Sequence, residues 1–132
     1  IGLELGSKVA SIHSEVKCIV TEDGREIAYD KLILAHGGQV FMPPVDGLDK
    51  KGVFTLKQLG DAEKLNAHQG KCAVVVGSGA IGIEAAEALK KKGLDVSIVE
   101  LYDWIMPTMF DSETAVLLHS RLNTHGIQVY TK

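Results

Sequence analysis

Three glycines at a fixed spacing, followed by an acid, are the residues of this chain best suited to chemistry. Gly77, Gly79 and Gly82 come directly after a short apolar run with β-strand character, and they open a segment with helical periodicity. A second β-like run, 95–99, leads into Glu100, about 20 residues after the glycines. A strand, a glycine-rich turn, a helix and a second strand ending in an acid form the fingerprint of a dinucleotide site.

Each position in this fingerprint has a physical role. Gly77 permits the tight turn from strand to helix, Gly79 lets the backbone approach a pyrophosphate, and Gly82 lets the helix lie close to the strand. The helix N-terminus adds unpaired N–H groups and a partial positive charge, which bind anions. We therefore expect the cofactor to contact the turn as a whole, namely Gly77, Ser78, Gly79, Ala80, Ile81 and Gly82.

Glu100 is the residue that would choose between the two nicotinamide cofactors. At the carboxyl end of the second strand, it is placed to accept hydrogen bonds from the ribose 2′-hydroxyl of adenosine. A 2′-phosphate would meet like charge there, and no Lys or Arg occurs from Leu101 to Ser120. The sequence therefore predicts NAD (NADH) rather than NADP. The competing interpretation is a βαβ unit whose glycine-rich turn is incidental.

Composition and charge argue against several kinds of binding partner. A chain of 132 residues fits one domain, and the net charge of −3 with a pI near 5.9 argues against nucleic acid as a partner. The five histidines and two cysteines lack metal-ligand spacing, so no metal is expected and both thiols are predicted to be buried and reduced. No apolar run could cross a bilayer, which predicts a soluble, cytoplasmic protein without a membrane partner. The first residue is Ile, which suggests an excised piece.

The first part of the chain reads as a β-meander. Alternating residues predict strands at 8–13 and 16–21 and a third from Glu26. The nearly continuous apolar run 30–35 predicts a strand buried on both faces. Paired glycines and prolines make 37–51 the linker.

The second part alternates strands with helices. A short strand at 53–55 and a helix from Asp61 to His68 precede the fingerprint. A further helix, 112–125, starts at an Asp111 cap and leads to a strand at 127–131. In the fingerprint helix, one apolar stripe is predicted to face the sheet through Ile81, Ala85, Ala88 and Leu89. The predicted fold class is α/β, a Rossmann-like parallel sheet (βαβαβ) preceded by an antiparallel β-meander.

Three segments, taken in order, resemble a known family. Residues 29–37 (YDKLILAHG), 43–56 and 74–86 (VVVGSGAIGIEAA) are similar to the FAD- and NAD(P)H-dependent pyridine nucleotide-disulfide oxidoreductases. The subgroup that this chain most resembles contains NADH oxidase, NADH peroxidase and coenzyme A-disulfide reductase. Such enzymes have an FAD domain, an inserted NAD domain and a dimerisation domain.

The resemblance divides the chain into three parts. Residues 1–36 would be the β-meander and strand of an FAD-binding domain, 37–51 a linker, and 52–132 a truncated NAD-binding βαβαβ domain. The partners it implies are the nucleotide and the remaining FAD and dimerisation domains of a parent protein. Because the order is permuted, residues 1–36 would either complete the NAD domain, within one chain or by exchange in a homodimer, or form a loose segment. Rapid proteolytic removal of residues 1–36 from a stable core would exclude the composite.

The resemblance also implies a reaction. In such flavoproteins NADH passes hydride to FAD, and the electrons leave to oxygen, peroxide, a disulfide or another acceptor. Ala35, His36 and Gly37 match the segment near the flavin nucleotide, with His36 where the family usually has Thr. Ala80 stands where the family often has an aromatic gate.

Glu84 is the one candidate for a catalytic role. It matches the Glu of the family's IGxE segment, which in relatives approaches the nicotinamide and flavin. The alternative is an acid favoured by the helix dipole. For the chain as a whole, a non-enzymatic NAD sensor is the alternative function, and the isolated fragment is expected to be inactive.

Overall fold

The computed structural model describes residues 2–132 and divides the chain into two compact units. The first ends at Gln39 and the second is Val40–Lys132. The boundary between them falls inside the segment predicted to be a linker.

The first unit is built on the predicted antiparallel meander. Strands β1 (Val9–His13), β2 (Cys18–Thr21) and β3 (Glu26–Ala28) pair in that order, with a bulge in the first pairing. The turn between β2 and β3 is closed around Thr21, which is buried. Its hydroxyl accepts from the Arg25 N–H at 3.1 Å, so the side chain supplies the backbone partner that the turn requires.

The prediction of a strand at 30–35 is wrong. Residues 32–35 have no regular secondary structure, and the Ile33 side chain is 88% exposed. A strand that is apolar on both faces forms only between neighbouring strands under covering layers. The meander, whose last strand is β3, offers no such place within residues 2–39.

The first regular element of the second unit is a short helix, which starts earlier than predicted. Helix α1 spans Leu59–Ala67, and Gln58 rather than Asp61 is its cap. Asp61 lies in the first turn and accepts from the Gln58 N–H at 3.0 Å. The acid therefore reaches back to the cap, as in a capping box. The strand predicted at 53–55 does not form.

A three-stranded parallel sheet carries the rest of the unit. Its order is β4 (Cys72–Val76), β5 (Asp95–Val99) and β6 (Ile127–Tyr130). Helix α2 (Ala80–Lys91) joins the first two strands and α3 (Ser112–Thr124) joins the last two. The predicted cap of α3 is confirmed, since Asp111 accepts from the Thr114 N–H at 2.8 Å. The predicted α/β class with a parallel sheet and a separate meander is thus confirmed.

The two helices share one apolar core with the sheet. Its buried members come from β5, β6, both helices and the loop before α3: Ala86, Leu89, Val96, Ile98, Ile105, Ala115, Leu122 and Ile127. The stripe predicted for α2 is partly wrong, because Ile81 and Ala88 are exposed while Ala86 is fully buried. The stripe is rotated by about one residue, so that Gly82 lies on the side facing β4.

The opposite face of the sheet has no covering layer within residues 40–132. Alternate strand residues there are apolar and exposed: Val74 (65%), Val76 (72%), Val99 (42%) and Tyr130 (55%). Cys72 lies on the same alternation and is exposed, and Cys18 is only half-buried, so the prediction of two buried thiols is wrong. In residues 2–132 no helix is long and apolar enough to span a membrane.

Candidate dinucleotide-binding site

The glycine-rich turn has the geometry that the fingerprint requires. Gly77 has a φ of +97°, which side chains rarely adopt, and its N–H continues the sheet by donating to Val99 O at 2.8 Å. Gly79 caps α2, and the first helical hydrogen bond runs from the Ile83 N–H to Gly79 O at 3.0 Å. The N–H groups of the first turn precede that bond and have no partner within the helix. They are therefore available to an anion.

The two later glycines differ in what surrounds them. A methyl group on Gly79 would meet no atom within 4 Å, so the backbone there borders open space. A methyl group on Gly82 would lie 2.2 Å from Gly77 O, far inside van der Waals contact. Gly79 thus leaves room for a bound group, while Gly82 lets the helix approach the turn. Both roles match those predicted from the sequence and fit a pyrophosphate at this turn.

Replacing Gly82 with alanine is expected to destabilise the chain by about 1–3 kcal/mol, because the turn must move away from the new methyl group. Gly60→Ala is the matched control. Gly60 lies in the first turn of α1 and has no atom within 4 Å of the added methyl, so the change should be neutral or stabilising by up to about 1 kcal/mol. Urea denaturation of both variants tests this difference, and equal losses of stability would contradict it.

Glu100 lies against the turn rather than pointing away from it. Its Oε2 accepts two hydrogen bonds from Ser78, one from the backbone N–H at 2.9 Å and one from the hydroxyl at 2.5 Å. Its Oε1 accepts from the Tyr102 N–H at 3.1 Å. The Glu100 side chain is buried, with 9% of the residue exposed. A carboxylate has about four acceptor positions. Ser78 and Tyr102 donate three hydrogen bonds to it, and the Leu101 N–H makes a smaller favourable contribution.

Ser78 is the least expected member of the site. It is fully buried, and its hydroxyl also accepts from the Met106 N–H at 3.0 Å. Met106 has a φ of +50°, a conformation that non-glycine residues seldom adopt. Neither the N–H nor the hydroxyl of Ser78 is free for a ligand. The sequence placed Ser78 among the cofactor contacts, and its spacing carried no signal of these hydrogen bonds to Glu100 and to the following loop.

The pKa of Glu100 reflects two opposing effects. Burial alone raises it, but the hydrogen bonds from Ser78 and from the Tyr102 and Leu101 N–H groups together outweigh burial, so the pKa lies below its usual value. The carboxylate therefore adds stability above the unfolded-state pKa of about 4.3, and this stability is lost as the pH falls through the lower, folded-state pKa. Between pH 7 and pH 3 the wild-type chain should lose more stability in urea than Glu100→Gln does. Equal losses would contradict this assignment.

The loop between β5 and α3 has both buried and exposed large side chains, and Ile105 is fully buried in the core. Trp104 packs on the core, its indole N–H donating to Phe110 O at 3.1 Å, and Met106 is buried. Tyr102 and Met109 are 59% and 63% exposed. Trp104 and Met106 are thus on the core side of the loop, and Tyr102 and Met109 are on its surface.

The remaining predicted site residues take no part in the hydrogen bonds around Ser78 and Glu100. Glu84 is exposed on α2, and within residues 2–132 its carboxylate has no hydrogen-bond or ion-pair partner. Ala35, His36 and Gly37 lie in exposed, irregular chain of the first unit. Their flavin contact stays a prediction, as does the role of Glu84. No group of three or more potential metal ligands occurs in the described residues.

A parallel sheet, a glycine-rich turn and an acid at the end of the second strand are the features typical of dinucleotide-binding α/β domains. The family model "Pyridine nucleotide-disulphide oxidoreductase" matches residues 1–132. The chain belongs to that family, which confirms the resemblance drawn from its motifs.

Known relatives are similar along almost the whole chain. The NADH oxidase of Methanocaldococcus jannaschii is 38% identical over 127 residues, which is 92% of this chain and 28% of that protein. The water-forming NADH oxidase from Lactobacillus brevis, solved bound to NADH, is 29% identical with a TM-score of 0.80, covering 95% of this chain and 29% of its own. An engineered NADPH oxidase made from that enzyme, bound to NADPH, is 27% identical with a TM-score of 0.81, covering 97% and 30%. This chain thus spans less than a third of each.

Proposed function

We propose that residues 52–132 bind NADH and that the whole protein is an NADH oxidase-like flavoprotein. In it, FAD would accept hydride from NADH and pass the electrons to oxygen, peroxide, a disulfide or another acceptor. The observation that carries the binding proposal is the Gly-rich turn with Glu100 against it. The turn offers free N–H groups and open space at Gly79, which suit a pyrophosphate, and the acid beside it would accept from the adenosine ribose.

The preference for NADH has independent support from the engineered relative. That NADPH oxidase carries five substitutions, among them a glycine to alanine, an aspartate to alanine and a proline to arginine. The intervals between these three positions equal those between Gly82, Glu100 and Pro107. This chain has the glycine, an acid and the proline, which are the residue types of the unaltered NADH oxidase.

The chain's own residues would bind and orient the cofactor. The first turn of α2 would hold the pyrophosphate, and Glu100 would accept a hydrogen bond from the ribose through Oε1, the oxygen that Ser78 does not contact. Ala80 would leave the nicotinamide side without the aromatic gate common in the family. Glu84, exposed on the same helix, is the proposed residue nearest the reacting groups. Catalysis would need the flavin domain, so the isolated chain should bind NADH without turnover.

Titration of the purified chain with NADH and NADPH, together with an absorption spectrum, tests this proposal. We expect saturable NADH binding, weaker NADPH binding, no flavin absorption and no NADH consumption. Tighter binding of NADPH would contradict the assigned role of Glu100. NADH binding that persists in the whole protein without any flavin would instead favour the non-enzymatic sensor.

A further inference from the structure

Ser78 is a fully buried side chain at the centre of the candidate site whose hydroxyl cannot reach a ligand directly. It donates to Glu100 Oε2 at 2.5 Å and accepts from the Met106 N–H at 3.0 Å. One hydroxyl thus joins the glycine-rich turn, the acid at the end of β5 and the loop before α3.

These contacts restrict how Glu100 can lie. A free glutamate side chain samples several rotamers, and fixing it during ligand binding costs free energy. Both hydrogen bonds from Ser78 fall on Oε2, which commits that oxygen to the protein. Oε1 accepts from the Tyr102 N–H at 3.1 Å, and it is the oxygen that Ser78 leaves to a ribose hydroxyl. The carboxylate is therefore held in one orientation before any ligand binds.

We propose that Ser78 is a positioning residue for cofactor selection, which holds the Glu100 carboxylate ready for the ribose 2′-hydroxyl of NADH. The inference rests on the proposed NADH site. It assigns Ser78 no contact with the cofactor, and its effect passes through Glu100. A ligand without the 2′-hydroxyl should therefore not sense the loss of the Ser78 hydroxyl.

Ser78→Ala tests this prediction with two ligands, NADH and its analogue lacking the adenosine 2′-hydroxyl. The variant should bind NADH about tenfold more weakly, the effect of losing one well-formed hydrogen bond to a charged group, and bind the analogue as the wild type does. Ser120→Ala is the matched control, because Ser120 is exposed on α3, and it should leave both affinities unchanged. Equal weakening for both ligands, or no weakening for NADH, would overturn the proposal.

A double-mutant cycle separates positioning from a general loosening of the turn. In a Glu100→Ala background, Ser78→Ala should have no further effect on NADH affinity, since the residue through which it acts is gone. Additive losses would overturn the proposal. If the alanine variant does not fold, Ser78→Cys gives the same comparison, because the thiol fills a similar space with a much weaker hydrogen-bonding group.

The proposed function and this inference fail in different ways. A wild-type chain that binds neither NADH nor the analogue would contradict the NADH site itself, and one that binds both equally well would contradict the ribose contact of Glu100. A wild-type chain that prefers NADH, together with a Ser78→Ala variant that keeps the full preference, would contradict only the role of Ser78.

Discussion

Replacement of Glu100 by alanine should raise the dissociation constant for NADH by about 10- to 100-fold, as expected for the loss of a hydrogen bond to a charged group. Two effects add. The ribose loses its acceptor, and the N–H groups of Ser78 and Tyr102 lose theirs, which loosens the turn. NADPH binding should weaken less or improve, because the repulsion between the carboxylate and a 2′-phosphate disappears. The ratio of the NADPH dissociation constant to the NADH dissociation constant, measured by titration, should therefore fall towards one.

Glu113→Ala provides the control for this substitution. Glu113 is an exposed acid in the first turn of α3, so its removal changes the net charge equally without touching the turn. It should leave the ratio of NADH to NADPH affinity unchanged. If Glu100→Ala retained wild-type affinity for NADH, the ribose contact would be wrong and Glu100 would act only within the fold.

Ile98→Ala should destabilise the chain by about 2–5 kcal/mol. Ile98 is fully buried in the central strand of the sheet, where it lies beside Val75 on one side and Val129 on the other. The truncation removes buried apolar volume and leaves a cavity that two neighbouring strands hold open. Such a loss is a large part of the stability of a small domain, so the urea midpoint should fall sharply.

Val76→Ala is the matched test on the other face of the same sheet. Val76 is 72% exposed, so its truncation should change the stability of this chain by about 0.5 kcal/mol or less. Comparable losses for Ile98→Ala and Val76→Ala would mean that both faces of the sheet are covered in solution. That result would favour a composite domain in which residues 1–36 or a second copy supplies the second layer.

Much of the fold could be read from the sequence, because the signals are local. The meander strands, the parallel strands and the helix at 112–124 follow from residue periodicity and from caps such as Asp111, which act within one turn of chain. The glycine spacing likewise fixed the turn at Gly77, since a φ of +97° excludes most other residues. The family also followed from motifs whose order along the chain matched.

Other features depended on what lies nearby in space. The apolar run at 30–35 looks like a buried strand, but a strand exists only where partner strands accept it, and the unit has none to offer. The buried stripe of α2 is rotated relative to the prediction, so that Gly82 faces the turn. Only a residue without a side chain fits there, because an added methyl group would lie 2.2 Å from Gly77 O. Packing decided both cases where periodicity alone predicted something else.

The sequence by itself determined that a dinucleotide fingerprint is present and which acid belongs to it. Only the tertiary structure decided how that acid is held: Glu100 and Ser78 are distant in the chain, and their hydrogen bonds exist because β4 and β5 are adjacent in the parallel sheet. The spacing of the dinucleotide fingerprint identifies the residues at the ends of neighbouring strands. The direction in which a buried carboxylate points depends on the donors around it, and for Glu100 these come from the glycine-rich turn and from the chain just after β5.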